Sequence, residues 1–220
     1  MTLMDYAKIM WAKIIATVVL LAAYYALFPL PLQTNLIRFF AMAGFYLLSV
    51  SLIIGPLAVL FPKSFCSLIK HRKRVGNIAF MFVVLHFALV LYYFYSLNIT
   101  ALFLDLNTIM ILLALVLFFV LAITSADTAI RMLGFSRWKL IQRTAYIVFA
   151  LSFFHFVFNA NGLFVPLAGG RVFVNLAEIA MILVGILTIV FQLLGFVTML
   201  RTNRKKAEEV CPIEPPAPQQ

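Results

Sequence analysis

Two histidines, His86 and His155, stand inside long apolar runs, RKRVGNIAFMFVVLHFALVLYYFY at 72–95 and RTAYIVFALSFFHFVFN at 143–159. An imidazole in hydrocarbon is costly unless it is paired or bound, so each of these rings needs a partner. Each follows an arginine, Arg74 or Arg143, by 12 residues. If those arginines mark one membrane boundary, the helical rise sets both rings about 18 Å into a core of roughly 30 Å. Two imidazoles at one depth on facing helices of a bundle suit the axial positions of a haem iron. Filling both positions favours electron transfer over oxygen chemistry. The other chemistries open to the pair are a hydrogen-bonded proton relay, as in a transporter or channel, and a metal other than haem iron, for which two histidines alone are a poor zinc site. The third histidine, His71, is read as a residue of a basic loop, outside the membrane.

The elements that must position the pair are membrane helices. The 220 residues are 65% hydrophobic and 11% charged, with a mean hydropathy of +1.09, which excludes an ordinary soluble domain. Apolar runs long enough to span occur near 9–30, 37–61, 76–97, 107–126, 144–166 and 172–200, about 20 residues being needed for each. The expected fold is therefore all-α and polytopic, with six transmembrane helices and a haem-binding four-helix core. The first run is too long for a signal peptide and lacks a small-residue cleavage site, so it is read as retained. Around the histidines, Gly76, Ala79 and Val83 lie on the face of His86, and Ala145, Val148 and Ser152 on that of His155. Such small side chains leave room for a flat macrocycle and equally serve plain helix packing.

Charge distribution sets the topology. With the N-terminus inside, fifteen of the seventeen Lys and Arg residues fall on the inner side, leaving Arg38 and Arg171 outside. This positive-inside pattern accounts for the net charge of +10 and excludes nucleic acid as the reason for it. Both termini are expected in the cytoplasm. Residues 1–206 are read as one membrane domain and 207–220, rich in proline, as a disordered cytoplasmic tail. Cys66 and Cys211 both fall on the reducing side, so neither a disulfide nor a CxxC metal site is expected.

Several short motifs then align in order: a basic residue and Gly76 opening the third span, Leu85-His86 within it, Thr124-Ser125 near the end of the fourth, Leu133-Gly134 followed by Trp138, and His155-Phe156. In that order and spacing the segment resembles the ferric reductase-like transmembrane domain family. Within the family it is most similar to haem-binding membrane subunits that feed electrons to periplasmic methionine sulfoxide reductases. The likeness covers roughly helices two to five. It implies six helices, haem b between helices three and five with His86 and His155 as ligands of the outer haem, and electrons passing outward across the membrane.

The departures from that pattern are informative. Two-haem relatives carry an inner histidine 13 or 14 residues before each outer one, where this chain has Arg72 or Lys73 and Ile141 or Gln142. The resemblance therefore implies one haem b, and single-haem relatives hold a flavin at the inner level. Arg72, Arg74, Arg131, Arg137, Lys139 and Arg143 could bind the phosphate of FMN or FAD, or form only the inner basic belt. Gln142 could hydrogen-bond a flavin ring or a quinone, or be an interfacial glutamine with no ligand. Outside, Arg38 and Arg171 could pair with haem propionates or an acceptor, or simply anchor the interface. Asn159 and Asn161 line the same exit, and Glu178 serves a proton or a cation or reaches the interface. No GxGxxG or comparable phosphate loop is present, so the electrons are expected from a separate reductase, a flavin or a quinol. The expected whole is a transmembrane cytochrome b without its own NAD(P)H domain, in a bacterial inner membrane among lipids, serving an outer-side acceptor.

Overall fold

The computed structural model describes residues 3–28, 30–103, 106–158, 164–166 and 172–201. Nearly all of them are helical, because hydrocarbon offers no water to backbone groups and a helix satisfies them internally. The helices are α1 (Leu3–Leu27), α2 (Leu32–Leu60), the short α3 (Pro62–Phe65), α4 (Ile69–Tyr93), α5 (Leu106–Ile123), α6 (Asp127–Leu133), α7 (Phe135–Gln142), α8 (Ala145–Phe158) and α9 (Leu176–Arg201). Among the described residues, six stretches are long and apolar enough to cross a membrane: Ala7–Leu27, Leu32–Leu60, Pro62–Tyr93, Leu106–Ile123, Phe135–Phe158 and Leu176–Arg201. The chain is an integral membrane protein of the all-α class.

The core is organised around α2. Some 61% of its apolar window is buried within the chain, against 11–22% for the other five spans, whose apolar side chains are left to face lipid. Helices α1, α4, α8 and α9 all pack on α2, and α5 packs on α4 and α8. Helices α2, α4, α5 and α8 thus close a four-membered ring. In it α4 and α8 occupy opposite corners, each packed on α2 and α5. Close approach needs small residues. A Cβ on Gly44 of α2 would lie 2.9 Å from Val83 Cγ2 of α4, and one on Gly185 of α9 would run into the Phe153 ring of α8.

Three local expectations are corrected. The basic segment at 70–74, read as a loop, forms the first turns of α4; it contains neither Gly nor Pro, and Lys and Arg are good helix formers. His71 is accordingly a buried helix residue rather than a loop residue. The fifth span ends at Phe158 rather than near 166, and the sixth begins at Leu176 rather than 172. Between them Phe164–Pro166 and Val172–Val174 pair as a two-stranded antiparallel hairpin with Val165 opposite Phe173, as suits a β-branched and aromatic VFV sequence. Cys66 is disulfide-bonded instead of reduced. The tail at 207–220, with Cys211, lies outside the described residues.

Gly44→Leu should overfill the α2–α4 seam and cost about 1–3 kcal/mol. The expected outcome is a lower thermal unfolding midpoint in detergent than for Gly44→Ala, which adds only one methyl group.

Candidate functional site

Each imidazole is held at its Nδ1 by a different helix of the ring. His86, half-buried on α4, has Nδ1 3.0 Å from the carbonyl oxygen of Ile37 on α2. A carbonyl can only accept, so Nδ1 of His86 carries the proton and Nε2 the lone pair. His155, half-buried on α8, has Nδ1 3.2 Å from Oδ1 of Asn107 in the first turn of α5. Donation there makes Nε2 the unprotonated nitrogen of that ring as well. In each ring the fixed acceptor at Nδ1 sets the tautomer.

The surrounding contacts fix these acceptors in place. Ile37 is followed by Arg38, whose Nη1 pairs with Glu178 Oε1 of α9 at 3.1 Å. Two residues before Ile37, Asn35 donates its amide to the carbonyls of Phe28 and Leu30, at 3.0 and 3.1 Å, and ties down the α1–α2 turn. Beside Asn107, Thr108 Oγ1 lies 3.1 Å from the hydroxyl of Tyr95, just past α4. Along the α2–α8 seam, Phe45 stacks with Phe149, Phe153 and Phe156 at centroid distances of 5.5, 6.1 and 5.8 Å. Those rings precede and follow His155 on α8 and hold that helix against α2.

At the other end of the ring the short motifs converge. Gln142 Nε2 donates to Thr124 Oγ1 at 3.2 Å, Trp138 Nε1 donates to the Thr124 carbonyl at 3.0 Å, and Thr124 Oγ1 donates to the Val120 carbonyl at 2.6 Å. Gly134, at φ +74°, makes the turn that sets α7 against the end of α5; a positive φ there favours glycine. Gln142 thus serves a helix junction. The Arg72 guanidinium lies against α2, where a Cβ on Gly55 would be 3.4 Å from its Nη1. Arg74 borders a small cavity with Lys70 and His71. Arg131, Arg137 and Arg143 are exposed, and Lys139 sits over the Phe135 ring at 5.6 Å. Arg38, open to propionates, an acceptor or plain interfacial anchoring, pairs with Glu178. Arg171, Asn159 and Asn161 lie outside the described residues.

Sequence reasoning missed Asn107 and the Ile37 carbonyl. Asn107 had a signal, being a polar residue at the head of LNTIMILLALVLFFVLAI, but only the packing reveals which ring it serves. Among the described residues no group of three or more His, Cys, Asp or Glu is placed to hold a metal ion.

The ring of helices, with a hydrogen-bonded imidazole on each of two opposite members, defines a class: a polytopic helical membrane protein with ionisable side chains inside its spans. The particular family follows from comparison. Residues 40–153 match the family model for the ferric reductase like transmembrane component, and the chain belongs to that family. The matched segment contains His86, Asn107, Thr124 and Gln142 and stops just short of His155. Similar proteins include the magnetosome protein MamZ of Magnetospirillum gryphiswaldense, 35% identical over 99 residues, covering 43% of this chain and 15% of that one. The protein-methionine-sulfoxide reductase heme-binding subunit MsrQ of Herminiimonas arsenicoxydans is 30% identical over 115 residues, covering 50% of this chain and 52% of that one. MsrQ of Brucella anthropi is 31% identical over 118 residues, 52% of each chain. The matches thus span about half the length of these MsrQ relatives and a small part of MamZ. No solved structure matches the chain.

Thr124→Val should leave the Gln142 amide without its acceptor while sparing the Trp138 bond, which uses the backbone. A loss of about 1 kcal/mol, or roughly 2–4 °C in the unfolding midpoint, is expected by scanning calorimetry. Gln142→Leu in the same background should add little, since both changes remove one interaction.

Proposed function

We propose that the chain is the redox-carrying membrane subunit of a reductase system, holding one haem b between His86 and His155 and serving an acceptor on the outer side of a bacterial inner membrane. The observation that carries the reading is the pair of Nδ1 acceptors, Ile37 O and Asn107 Oδ1, at 3.0 and 3.2 Å on two different helices. Both rings thereby carry the lone pair on Nε2. The donor set, two neutral imidazoles on opposite corners of a helical ring, fits a haem iron. The MsrQ relatives are named as heme-binding subunits, and this supports the same cofactor here.

Haem b, when bound, supplies one-electron exchange at its iron. The chain's own residues supply the rest. His86 and His155 ligate, Ile37 and Asn107 hold their tautomers, and the Phe45, Phe149, Phe153 and Phe156 rings close the α2–α8 seam against lipid and water. Glu178 neutralises Arg38 next to Ile37, so no uncompensated charge sits beside the His86 acceptor. With fifteen of the seventeen cations assigned to one end of the bundle, that end is read as cytoplasmic, with both termini there. The donor, a separate reductase, a reduced flavin or a quinol, meets the chain at that end. Arg72, Arg74, Arg137 and Arg143 are the cations available to a flavin phosphate there.

The transporter reading, with His86 and His155 as a proton relay, would be supported by helices broken at mid-membrane. Instead α4 and α8 run unbroken through their histidines.

Replacing His86 or His155 with Ala should remove most haem from the purified protein, judged by the reduced-minus-oxidised absorption spectrum. Full retention in both variants would sink the assignment, and a pigment-free parent protein would favour the relay. Asn107→Leu should keep the haem but loosen it roughly 10- to 100-fold, as expected when a ligand loses its orienting partner. A pyridine haemochrome assay should give one haem per chain, because the inner positions hold Arg72, Lys73, Ile141 and Gln142. A ratio near two would mean that His71 or another residue builds a second site. In sealed vesicles of known orientation, an impermeant acceptor should oxidise the haem from the face opposite the basic segments. Oxidation only from the basic face would reverse the topology or the pathway.

A further inference from the structure

At the basic end of α4, His71 is only 9% exposed, and neither of its ring nitrogens has a hydrogen-bond partner. Burying polar atoms in this way is costly unless something else meets them. The ring is not loose: Trp11 of α1 packs edge-on against it, with centroids 6.2 Å apart and planes at 86°. Beside it opens a cavity of about 190 Å³ lined by Lys70, His71 and Arg74. Lys70 and Arg74 are both exposed, so their cationic heads are open to approach from the interface.

The chemistry of this lining narrows the ligand. Two cations disfavour a metal ion, and no cluster of three metal-ligating side chains exists among the described residues. The space holds more than one water, whose share of volume is about 30 Å³, but it is far too small for a macrocycle. A lysine, an arginine and an unpartnered imidazole line one cavity, and the group complementary to an ammonium, a guanidinium fork and an imidazole N–H together is a multidentate oxyanion. Trp11 adds the depth, since tryptophan rings concentrate at the headgroup level of a bilayer. We propose that Lys70, His71 and Arg74 form a receptor for a phosphate group at the basic end of the bundle. The phosphate belongs either to an anionic phospholipid headgroup or to a soluble phosphate or phosphate ester.

The site is separate from the proposed haem ligands. His71 and His86 lie fifteen residues apart on one helix, a rise of about 22 Å. Failure of this proposal therefore leaves the haem assignment standing, and the reverse also holds.

The test uses the full chain, delipidated in a neutral detergent, with phosphatidylglycerol and inorganic phosphate as probes. Native mass spectrometry and ligand-dependent unfolding midpoints give the affinity, and ¹⁵N resonances of His71 report the ring. One saturable site for at least one probe is expected, weakened roughly tenfold or more by Lys70→Gln or Arg74→Gln, with the His71 resonances moving on binding. Binding of phosphatidylglycerol that inorganic phosphate does not displace identifies a lipid headgroup. Displacement, or saturation by inorganic phosphate alone, identifies a soluble source. Both substituted side chains are exposed, and unfolding without probe verifies that the variants fold; His71→Gln, which keeps a donor, should retain part of the affinity. Absence of saturation with both probes, or unchanged affinity in both charge variants, overturns the proposal.

Discussion

A polar side chain in hydrocarbon must be satisfied by the chain itself, and in this protein that demand is met chiefly through α2. The carbonyl of Ile37 receives the His86 ring, and the neighbouring Arg38 takes Glu178 of α9. One turn after another down the same helix, Tyr46 donates to Thr17 of α1 at 3.3 Å, Ser51 to the Arg72 carbonyl of α4 at 3.1 Å, and Gln192 of α9 to the Leu52 carbonyl at 2.7 Å. Each such bond is worth on the order of 1 kcal/mol in a membrane. Together they fix the depth and rotation of α1, α4 and α9 relative to one helix. Packing alone, among residues as apolar as the lipid, would not specify register so closely.

The ring geometry has a functional consequence. Because α4 and α8 sit at opposite corners, packed on α2 and α5, their histidines are not competing for one seam between adjacent helices. Each imidazole takes its orienting acceptor from a different intervening helix, His86 from α2 and His155 from α5. Helices α2 and α5 therefore set the tautomers of both rings. Glu178 belongs to the same logic: at 5% side-chain exposure a carboxylate needs a cation, and the one it has, Arg38, stands beside the His86 acceptor.

The six spans were legible in the sequence because each stands out locally: twenty apolar residues need no partner to be recognised, and a single imidazole among them is conspicuous. Partners across helices were not legible. Asn107 and Ile37 are 48 and 49 residues from the rings they hold, and no periodicity in either helix names the other. The Thr124, Trp138 and Gln142 junction was half legible, as motifs with order but no contact. Its assembly depends on the turn at Gly134, a backbone property that composition does not reveal. His71 was misplaced because charge was taken to mean loop. Lys and Arg next to an apolar run instead continue the helix and send their heads toward the interface, leaving the histidine between them buried.

The two ends of the bundle have been built to different electrostatic rules. Where His86 and His155 donate their hydrogen bonds, the one described cation, Arg38, is neutralised by Glu178, and the acceptors are an uncharged carbonyl and amide. At the opposite end Lys70, Arg72, Lys73, Arg74, Arg131, Arg137, Lys139 and Arg143 crowd onto α4, α6, α7 and the turn before α8. Neutral polar groups suit the low dielectric of the span interior, whereas a dense positive rim attracts anionic groups and lipids. The inner level of the ring is closed by structural contacts: Gln142 is engaged with Thr124, and Arg72 lies along α2 at Gly55. Any group entering the ring at that level would have to replace both contacts, so the packing of the basic end depends on side chains that a sequence motif alone would assign to a ligand.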